Sequence, residues 1–375
     1  MVTASAVFFL VKDLAKTEEA TGAAFAILLS VGSLGTITAN FMGGFLADRI
    51  GRKRVITLGI VVLTPSLLAY AFLPSPVWMI GVYFFHMFAM AVFQPAFTAF
   101  VADLSRVSVR GKAFGNYNLF WIGGAVPAPV IGGFLVDAVG LRFPFFVAAL
   151  TSFVAGLVSF MLVETHNVKV VIPNQATNKP ETTVMPYLTV MIIFGIMSFL
   201  TGILNGMLGP LVRLYTVYRL GVTATQLGLV YSLGSGLVTA VVQIPGGRLT
   251  DTVGRKPLML LSVLGVPFLI AMAFTGSVLE FILALAGLVA FGNLSAPAYY
   301  AWLMDLVSSE KRARTSGLTN AITGVGLFLG APLVTWIYES QFSIVVSFIA
   351  ASIPWIVQIP LILKLKETKE TRKPN

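Results

Sequence analysis

The sequence GGFLADRIGRK at residues 43–53 recurs 203 residues later as GGRLTDTVGRK at residues 246–256, with seven of eleven positions identical. A second series of identities follows at a spacing of 202 residues. Its members are Pro95, Ala96, Ala99, Asp103, Leu104, Arg110, Gly115, Asn118 and Gly124, which match Pro297, Ala298, Ala301, Asp305, Leu306, Arg312, Gly317, Asn320 and Gly326. Aspartate, arginine, asparagine and proline are too scarce in this chain for chance matches. The repeat therefore predicts two related halves.

Long apolar segments lie between these motifs. The chain is 57% hydrophobic and 11% charged, with a mean hydropathy of +0.90, whereas soluble domains carry about 25% charged residues. Crossing a bilayer takes roughly 20 mostly apolar residues. Twelve segments are predicted as helices, at residues 1–11, 22–47, 55–73, 77–102, 113–136, 143–163, 186–212, 224–249, 257–277, 279–304, 315–338 and 342–363. All but the first are long enough to span.

The short first segment follows from where the chain begins. As a helix it would be about 16 Å long, against a hydrocarbon core of about 30 Å. The repeat predicts that residues preceding Met1 complete this helix. A misplaced start, or a first helix that is truly short, are the alternatives.

The predicted fold is an all-α membrane protein of two pseudo-symmetric six-helix bundles. The bundles cover residues 1–163 and 186–363, a polar linker covers 164–185, and a tail covers 364–375. Parallel repeats of this kind form one known transporter plan, with the substrate site between the halves near the bilayer midplane.

Basic residues set the predicted orientation. One set of connections, together with the tail, holds 20 of the 25 lysines and arginines. By the positive-inside rule that side, including the linker and the C-terminus, lies in the cytoplasm. The net charge of +10 is therefore a topology signal, and no nucleic-acid partner is expected. The absence of cysteine excludes disulfides and thiolate metal sites.

The repeated loop resembles the signature loop between helices two and three of the major facilitator superfamily. In the first copy the matching residues are Gly44, Asp48, Arg49, Gly51, Arg52 and Lys53. In the second they are Gly247, Asp251, Gly254, Arg255 and Lys256, with Thr252 in place of the basic residue. The resemblance covers almost the whole chain and implies a secondary transporter whose two halves rock around a central site.

The loop residues have a physical role beside the resemblance. Gly44 allows close helix approach, and Gly51 allows a tight turn. The resemblance implies that Asp48 faces the start of helix eleven near Arg312, and that Asp251 faces helix five near Arg110. Asp103 and Asp305 end helices four and ten within reach of Arg52 and Arg255. Such contacts would form when this side closes and break when it opens; ordinary positive-inside charges with incidental acids are the alternative.

A glycine pattern on helix five resembles the antiporter motif of drug:proton antiporters in the same superfamily. It consists of Gly115, Gly124, Ala128, Pro129, Gly132 and Gly133, with Ala128 where that family has glycine. Glycines give a smooth face for packing, here against helix eight, and Pro127 and Pro129 kink the helix. A generic packing face is the alternative.

Few polar residues lie within the spans, and these tend to face the bundle interior or a water-filled cavity. In this superfamily helices one, four, seven and ten line the central cavity. The cavity candidates are His86, Met90 and Gln94 on helix four, Asn205 on helix seven, and Asn293 and Tyr300 on helix ten. His86 is either a proton carrier or a neutral histidine bonded to a neighbouring helix. Asp137 and Glu280, at the outer ends of helices five and ten, are further proton candidates.

These observations favour a proton-linked exporter of small, partly apolar compounds, amphipathic or cationic rather than multiply anionic. An uptake symporter or uniporter for a small metabolite is the second hypothesis, and a non-transporting sensor or scaffold the third. No enzyme motif, metal site or cofactor is predicted, and no P-loop lysine motif is present. The expected partners are a small solute, protons and the lipid bilayer, with the chain acting as a monomer.

Overall fold

The computed structural model describes residues 3–104, 120–165, 186–307, 312–340 and 344–367. Within these ranges the backbone alone is described at ten positions, which are Ala4, Gly44, Asp48, Ala102, Asp103, Asp251, Met304, Arg312, Ala313 and Arg314. Arg110 and Gly115 lie outside the described residues, as does most of the predicted linker.

In the residues that the structure describes, the first half of the chain contains six helices and one shorter helical stretch. The six helices are α1 (Thr3–Ala15), α2 (Glu18–Ile50), α3 (Arg52–Ala69), α4 (Pro76–Leu104), α5 (Ala128–Ala138) and α6 (Phe143–Ser159). A helical stretch at residues 120–125 precedes α5, and the two are separated by a turn at Val126 and Pro127. The break lies at the predicted proline kink, because a proline ring excludes the preceding helical geometry.

The second half has six segments with more irregular turns. They are α7 (Tyr187–Leu214), α8 (Ala224–Tyr231 and Val238–Thr252), α9 (Arg255–Leu261 and Gly265–Ala271), α10 (Val278–Leu306), α11 (Arg312–Glu339) and α12 (Ile344–Lys364). A π-helical turn, Tyr215–Arg219, follows α7, and another, Ser232–Leu237, joins the two parts of α8.

Ten helices in the described part of the chain are long and apolar enough to cross a membrane. The predicted all-helical membrane fold is thereby confirmed, but eleven spans were expected. The difference is α6, which has 17 residues. The chain leaves the helix at Phe160–Leu162 and brings Glu164 to the start of α3.

Contacts divide the chain into two compact units. The first comprises Met1–Asn178 and Thr223–Gly228, and the second comprises Lys179–Val222 and Leu229–Asn375. The start of α8 thus belongs with the first unit.

Close backbone contacts hold each unit together. In the first, a side chain at Gly43 of α2 would collide with the carbonyl of Val92 of α4. In the second, the repeat-related Gly246 would approach the carbonyl of Leu294 of α10 to 2.8 Å. Small residues permit such approach in membrane bundles. The glycine that makes this contact in the second copy is Gly246; no atom lies within 4 Å of a side chain built at Gly247.

Candidate functional site

Each copy of the repeated loop forms a tight corner between two helices. Gly51 has φ +103° and Gly254 has φ +115°, a region that L side chains rarely adopt. Immediately after each glycine a new helix begins, α3 at Arg52 and α9 at Arg255. The predicted turn role of this glycine is therefore seen in both copies.

A glutamate from the end of each half caps the helix that starts at this corner. Glu164 Oε1 accepts from the backbone N–H of Arg52 at 2.9 Å. The Glu367 carboxylate accepts from the backbone N–H groups of Arg255 and Lys256, at 3.2 and 2.9 Å. A carboxylate is stabilised at a helix N-terminus by the exposed N–H groups and the helix dipole. Sequence reasoning missed both glutamates, although they are 203 residues apart and each precedes a threonine.

The arginine of each corner reaches back to the preceding helix. Arg52 Nη1 donates to the carbonyl of Ala47, and Arg255 Nη1 to that of Thr250, both at 3.2 Å. Arg255 Nε also forms an ion pair with Asp305 Oδ2 at 3.0 Å. The side chain of Asp103, the matching acid of the first half, is not among those described. We name these two clusters the first corner (Asp48–Lys53 with Glu164) and the second corner (Asp251–Lys256 with Glu367).

The basic residues of the corners differ in their surroundings. Arg49 is exposed, and its guanidinium lies 4.8 Å from the centre of the Phe45 ring. At the matching position Thr252 donates its hydroxyl to the carbonyl of Arg248 at 3.1 Å. Lys53 is half-buried, whereas Lys256 Nζ donates to the carbonyls of Leu363 and Leu365, at 2.8 and 3.2 Å.

The glycine pattern of helix five packs against the start of α8. A side chain at Gly133 would collide with the carbonyl of Ala224, and one at Gly228 would collide with that of Pro129. Ala128, Pro129 and Gly132 are buried beside this contact. Among the described residues, in contrast, no atom lies within 4 Å of a side chain built on Gly124. The C-terminal part of this glycine face therefore contacts the start of α8.

Asp137 fixes the end of the same helix to α8. Its carboxylate accepts from the backbone N–H of Ala224 at 3.2 Å, and from the backbone N–H and hydroxyl of Thr225 at 2.8 and 2.6 Å. Glu280, the other outer acid, accepts from the backbone N–H of Gly276 at 2.8 Å. Both carboxylates thus accept hydrogen bonds from backbone N–H groups at or just before the start of a helix.

The helix-four candidates have unlike surroundings. His86 is 6% exposed, and its Nδ1 lies 3.2 Å from the hydroxyl of Tyr70. The Tyr83 ring also contacts it, with ring centres 6.0 Å apart. Met90 packs beside Leu63, Leu67 and the alanines of α6, whereas Gln94 is exposed. The three do not share one open surface.

A cavity of about 520 Å³ lies within the second unit. Asn205 of α7 and Asn293 and Tyr300 of α10 line it, so the structure brings these three candidates together. Asn205 and Tyr300 are exposed to the open space, and Asn293 Nδ2 donates to the carbonyl of Val289 at 3.1 Å.

Hydroxyl, aromatic and amide groups complete the lining. The Tyr299 hydroxyl lies 2.6 Å from Ser198 Oγ, and Trp355 Nε1 donates to Ser262 Oγ at 3.1 Å. Sequence reasoning missed these residues, and it treated Arg213, which also lines the cavity, as an ordinary outer charge. No cluster of histidine, cysteine, aspartate or glutamate suited to a metal occurs in the part of the chain that the structure describes.

Two repeated halves of apolar helices in the described residues, corners of one design and a polar-lined cavity define a membrane transporter fold. The Major Facilitator Superfamily model matches residues 1–201 and again 194–375. The chain belongs to this superfamily, which consists of transporters rather than enzymes.

Known proteins of this superfamily show what the chain resembles. It is 24% identical over 350 residues to Multidrug resistance protein 2 of Bacillus subtilis, covering 89% of this chain and 84% of that protein. It is also 24% identical over 351 residues to the putative niacin/nicotinamide transporter NiaP of the same species, covering 91% and 86%. The crystal structure of a D-xylose-proton symporter superposes with a TM-score of 0.76 at 18% identity, covering 98% and 93%. At that identity the likeness shows the fold alone.

Proposed function

We propose that this chain exports small, partly apolar organic compounds in exchange for protons, by alternating access. The observation that carries the proposal is the cavity of about 520 Å³, which is the size of a small-molecule site and is lined by aromatic, hydroxyl and amide groups. The contact of the antiporter-like glycine face with α8 supports exchange. The similarity to a multidrug resistance protein supports small organic compounds as the cargo.

An uptake symporter is the second candidate. The similarities to a niacin/nicotinamide transporter and to the fold of a proton symporter favour it. A sensor or scaffold on the same fold would move no solute.

One flux experiment separates these candidates. The full chain is reconstituted into liposomes, a pH gradient of either sign is imposed, and a mixture of cationic, neutral and anionic organic compounds is supplied outside. Uptake is followed by mass spectrometry, with protein-free liposomes as the control for passive distribution. Exchange predicts uptake driven by an acidic interior, because protons leave as solute enters. Uptake driven by an alkaline interior would show symport, uptake indifferent to the gradient uniport, and no uptake a non-transporting protein.

We propose that His86 does not carry the coupling proton and instead bridges α4 to the end of α3. Its burial and its contact with the Tyr70 hydroxyl support this role. The change His86→Gln keeps hydrogen bonding but cannot titrate between pH 5 and 8. We expect the variant to keep its dependence on the pH gradient and to melt at lower temperature. Loss of that dependence with unchanged melting would make His86 the proton carrier.

The orientation is proposed from the 20 to 5 division of basic residues. Because the chain has no cysteine, Asn174→Cys and Asn375→Cys each introduce a single thiol. Impermeant thiol reagents should label both only in inverted vesicles. Labelling in intact cells would reverse the orientation.

A further inference from the structure

Arg213 supplies the charge of the second unit's cavity. It is the one ionised side chain at neutral pH among the described residues that line the cavity, and no carboxylate lies among them. The sequence, with few charges beside Phe, Tyr and Met in its spans, favoured amphipathic or cationic cargo over multiply anionic cargo, which would need buried arginines. An arginine in the lining favours an anionic group on the bound solute, because its guanidinium attracts anions.

The guanidinium of Arg213 is held against the cavity wall. Nη1 donates to the carbonyl of Gly209, one turn earlier on α7, at 2.9 Å. The guanidinium carbon lies 4.7 Å from the centre of the Tyr231 ring, a cation–π contact with another lining residue. An arginine near a helix end usually extends to the aqueous interface. This one folds back and is half-buried instead.

Irregular helix geometry accompanies both partners. A π-helical turn begins at Tyr215, two residues after Arg213, and another begins at Ser232, directly after Tyr231. Such turns appear frequently at functional sites, because they re-aim side chains within a helix. Two of them beside one arginine–tyrosine contact are a second observation that points to this wall of the cavity.

The remaining lining suits the body of a small organic acid. Tyr299 and Trp355 offer aromatic faces whose polar ends are already bonded to Ser198 and Ser262. Asn205 and Tyr300 offer an amide and a hydroxyl at exposed positions. Aromatic walls with a few placed polar groups are typical of small-molecule sites.

We propose that this cavity binds a small organic monocarboxylate with an aromatic or hydroxylated body, and that Arg213 recognises its carboxylate. Arginine is suited to this task because its planar fork matches carboxylate geometry and stays charged at any physiological pH. The inference rests on the proposed function only in taking the bound compound as cargo.

The test uses three probes that share one ring and differ in charge. Benzoate, benzamide and benzylamine are measured by equilibrium dialysis against the purified full chain at pH 7. We expect benzoate to bind at least about tenfold more tightly than benzamide, the scale of one charge-assisted hydrogen bond. Benzylamine, which is protonated at this pH, should bind most weakly.

Variants assign the preference to its residue. Arg213→Gln should abolish the preference for benzoate over benzamide, and Arg213→Lys should retain part of it, which separates loss of charge from loss of folding. Arg219→Gln is the matched control, because Arg219 is basic, exposed and outside the cavity. It should leave the preference unchanged.

Three results would overturn the proposal. These are tighter binding of benzylamine than of benzoate, a benzoate preference that survives Arg213→Gln, or no measurable binding of any probe. Selective benzoate binding without flux driven by a pH gradient would instead leave this inference standing and refute proton exchange. Flux driven by the pH gradient without a preference for benzoate would refute this inference and leave proton exchange standing.

Discussion

The two corners share one backbone design and differ in their charged side chains. Each has a glycine at positive φ, an arginine bonded to the carbonyl five residues earlier, and a glutamate 112 residues downstream that caps the following helix. The identity of these contacts at a spacing of 203 residues shows that the geometry is a property of the repeat. A role unique to one copy must come from what differs.

In the second corner, charged side chains contact residues of the second unit; the side chain of Asp103, which matches Asp305, is not among those described. Arg255 pairs with Asp305, and Lys256 Nζ bonds two carbonyls at the end of the chain. The first corner keeps the exposed Arg49, which the second replaces with Thr252. We propose that the first corner, which has Arg49, serves gating, and that the second, whose Lys256 bonds carbonyls near the end of the chain, anchors α9.

The two halves also differ in how closely their glycines pack against neighbouring helices. Gly326 and Gly330 of α11 would collide, if given side chains, with carbonyls of Phe199 and Ile203 on α7. Gly124, which matches Gly326 at a spacing of 202, has open space. The repeated backbone plan thus has a tight helix contact at this position in the second half, and no such contact among the described residues of the first.

The largest expected effect concerns the aspartates of the two corners. Asp48→Asn should lower solute flux about tenfold with little change in melting temperature, because a charged hydrogen bond is worth on the order of 1–3 kcal/mol. Asp251→Asn should lower flux less, because the second copy has Thr252 where the first has Arg49. Flux and melting are measured on the same reconstituted preparations. Equal losses in both variants would remove the distinction between gating and anchoring.

A smaller effect is expected at the glycine seam. Gly326→Ala should destabilise the protein by about 1–3 kcal/mol, the usual cost of overpacking, because its side chain would meet the Phe199 carbonyl. Gly124→Ala is the matched control and should leave thermal melting in detergent unchanged or slightly raised, since alanine favours helix. If Gly124→Ala lowers flux while melting is unchanged, the antiporter-like motif has a functional role beyond packing.

The smallest expected effect lies in the helix caps. Glu367→Ala should lower stability by about 1 kcal/mol, the scale of a carboxylate at an exposed helix N-terminus. Glu164→Ala should lower it by a similar amount, because its carboxylate caps the start of α3 in the same way. Thermal melting in detergent measures both. Unchanged melting in either variant would show that the capping contact does not stabilise its corner.

The helices and their order were predictable because hydropathy and the repeat are both properties of the linear sequence. The helix predicted at residues 77–102 spans Pro76–Leu104 in the structure. The helix predicted at 224–249 spans Ala224–Thr252 and contains a π-helical turn. Apolar composition marks where a span lies, but it does not show where hydrogen bonding shifts from one helical pattern to another. The π turns were therefore missed.

The site was predictable where a motif carries it and not where side-chain direction decides. The turn at Gly51 follows from the loop motif. Arg213, however, lies at a helix end where arginines are ordinary, and the sequence does not show that it lines a cavity and contacts Tyr231. His86 illustrates the converse, since an intramembrane histidine suggests function but is buried beside Tyr70.

Alternating access to the cavity is the central claim, and thiol labelling tests it most directly. Because the chain has no cysteine, Asn205→Cys places a single thiol in the cavity, and Arg219→Cys serves as an exposed control outside it. Impermeant reagents are applied to right-side-out and inverted vesicles, with and without Asp48→Asn. We predict that Asn205→Cys is labelled from both sides, that Arg219→Cys is labelled from one, and that Asp48→Asn shifts the ratio for Asn205→Cys. Labelling of Asn205→Cys from one side only, in both backgrounds, would contradict alternating access.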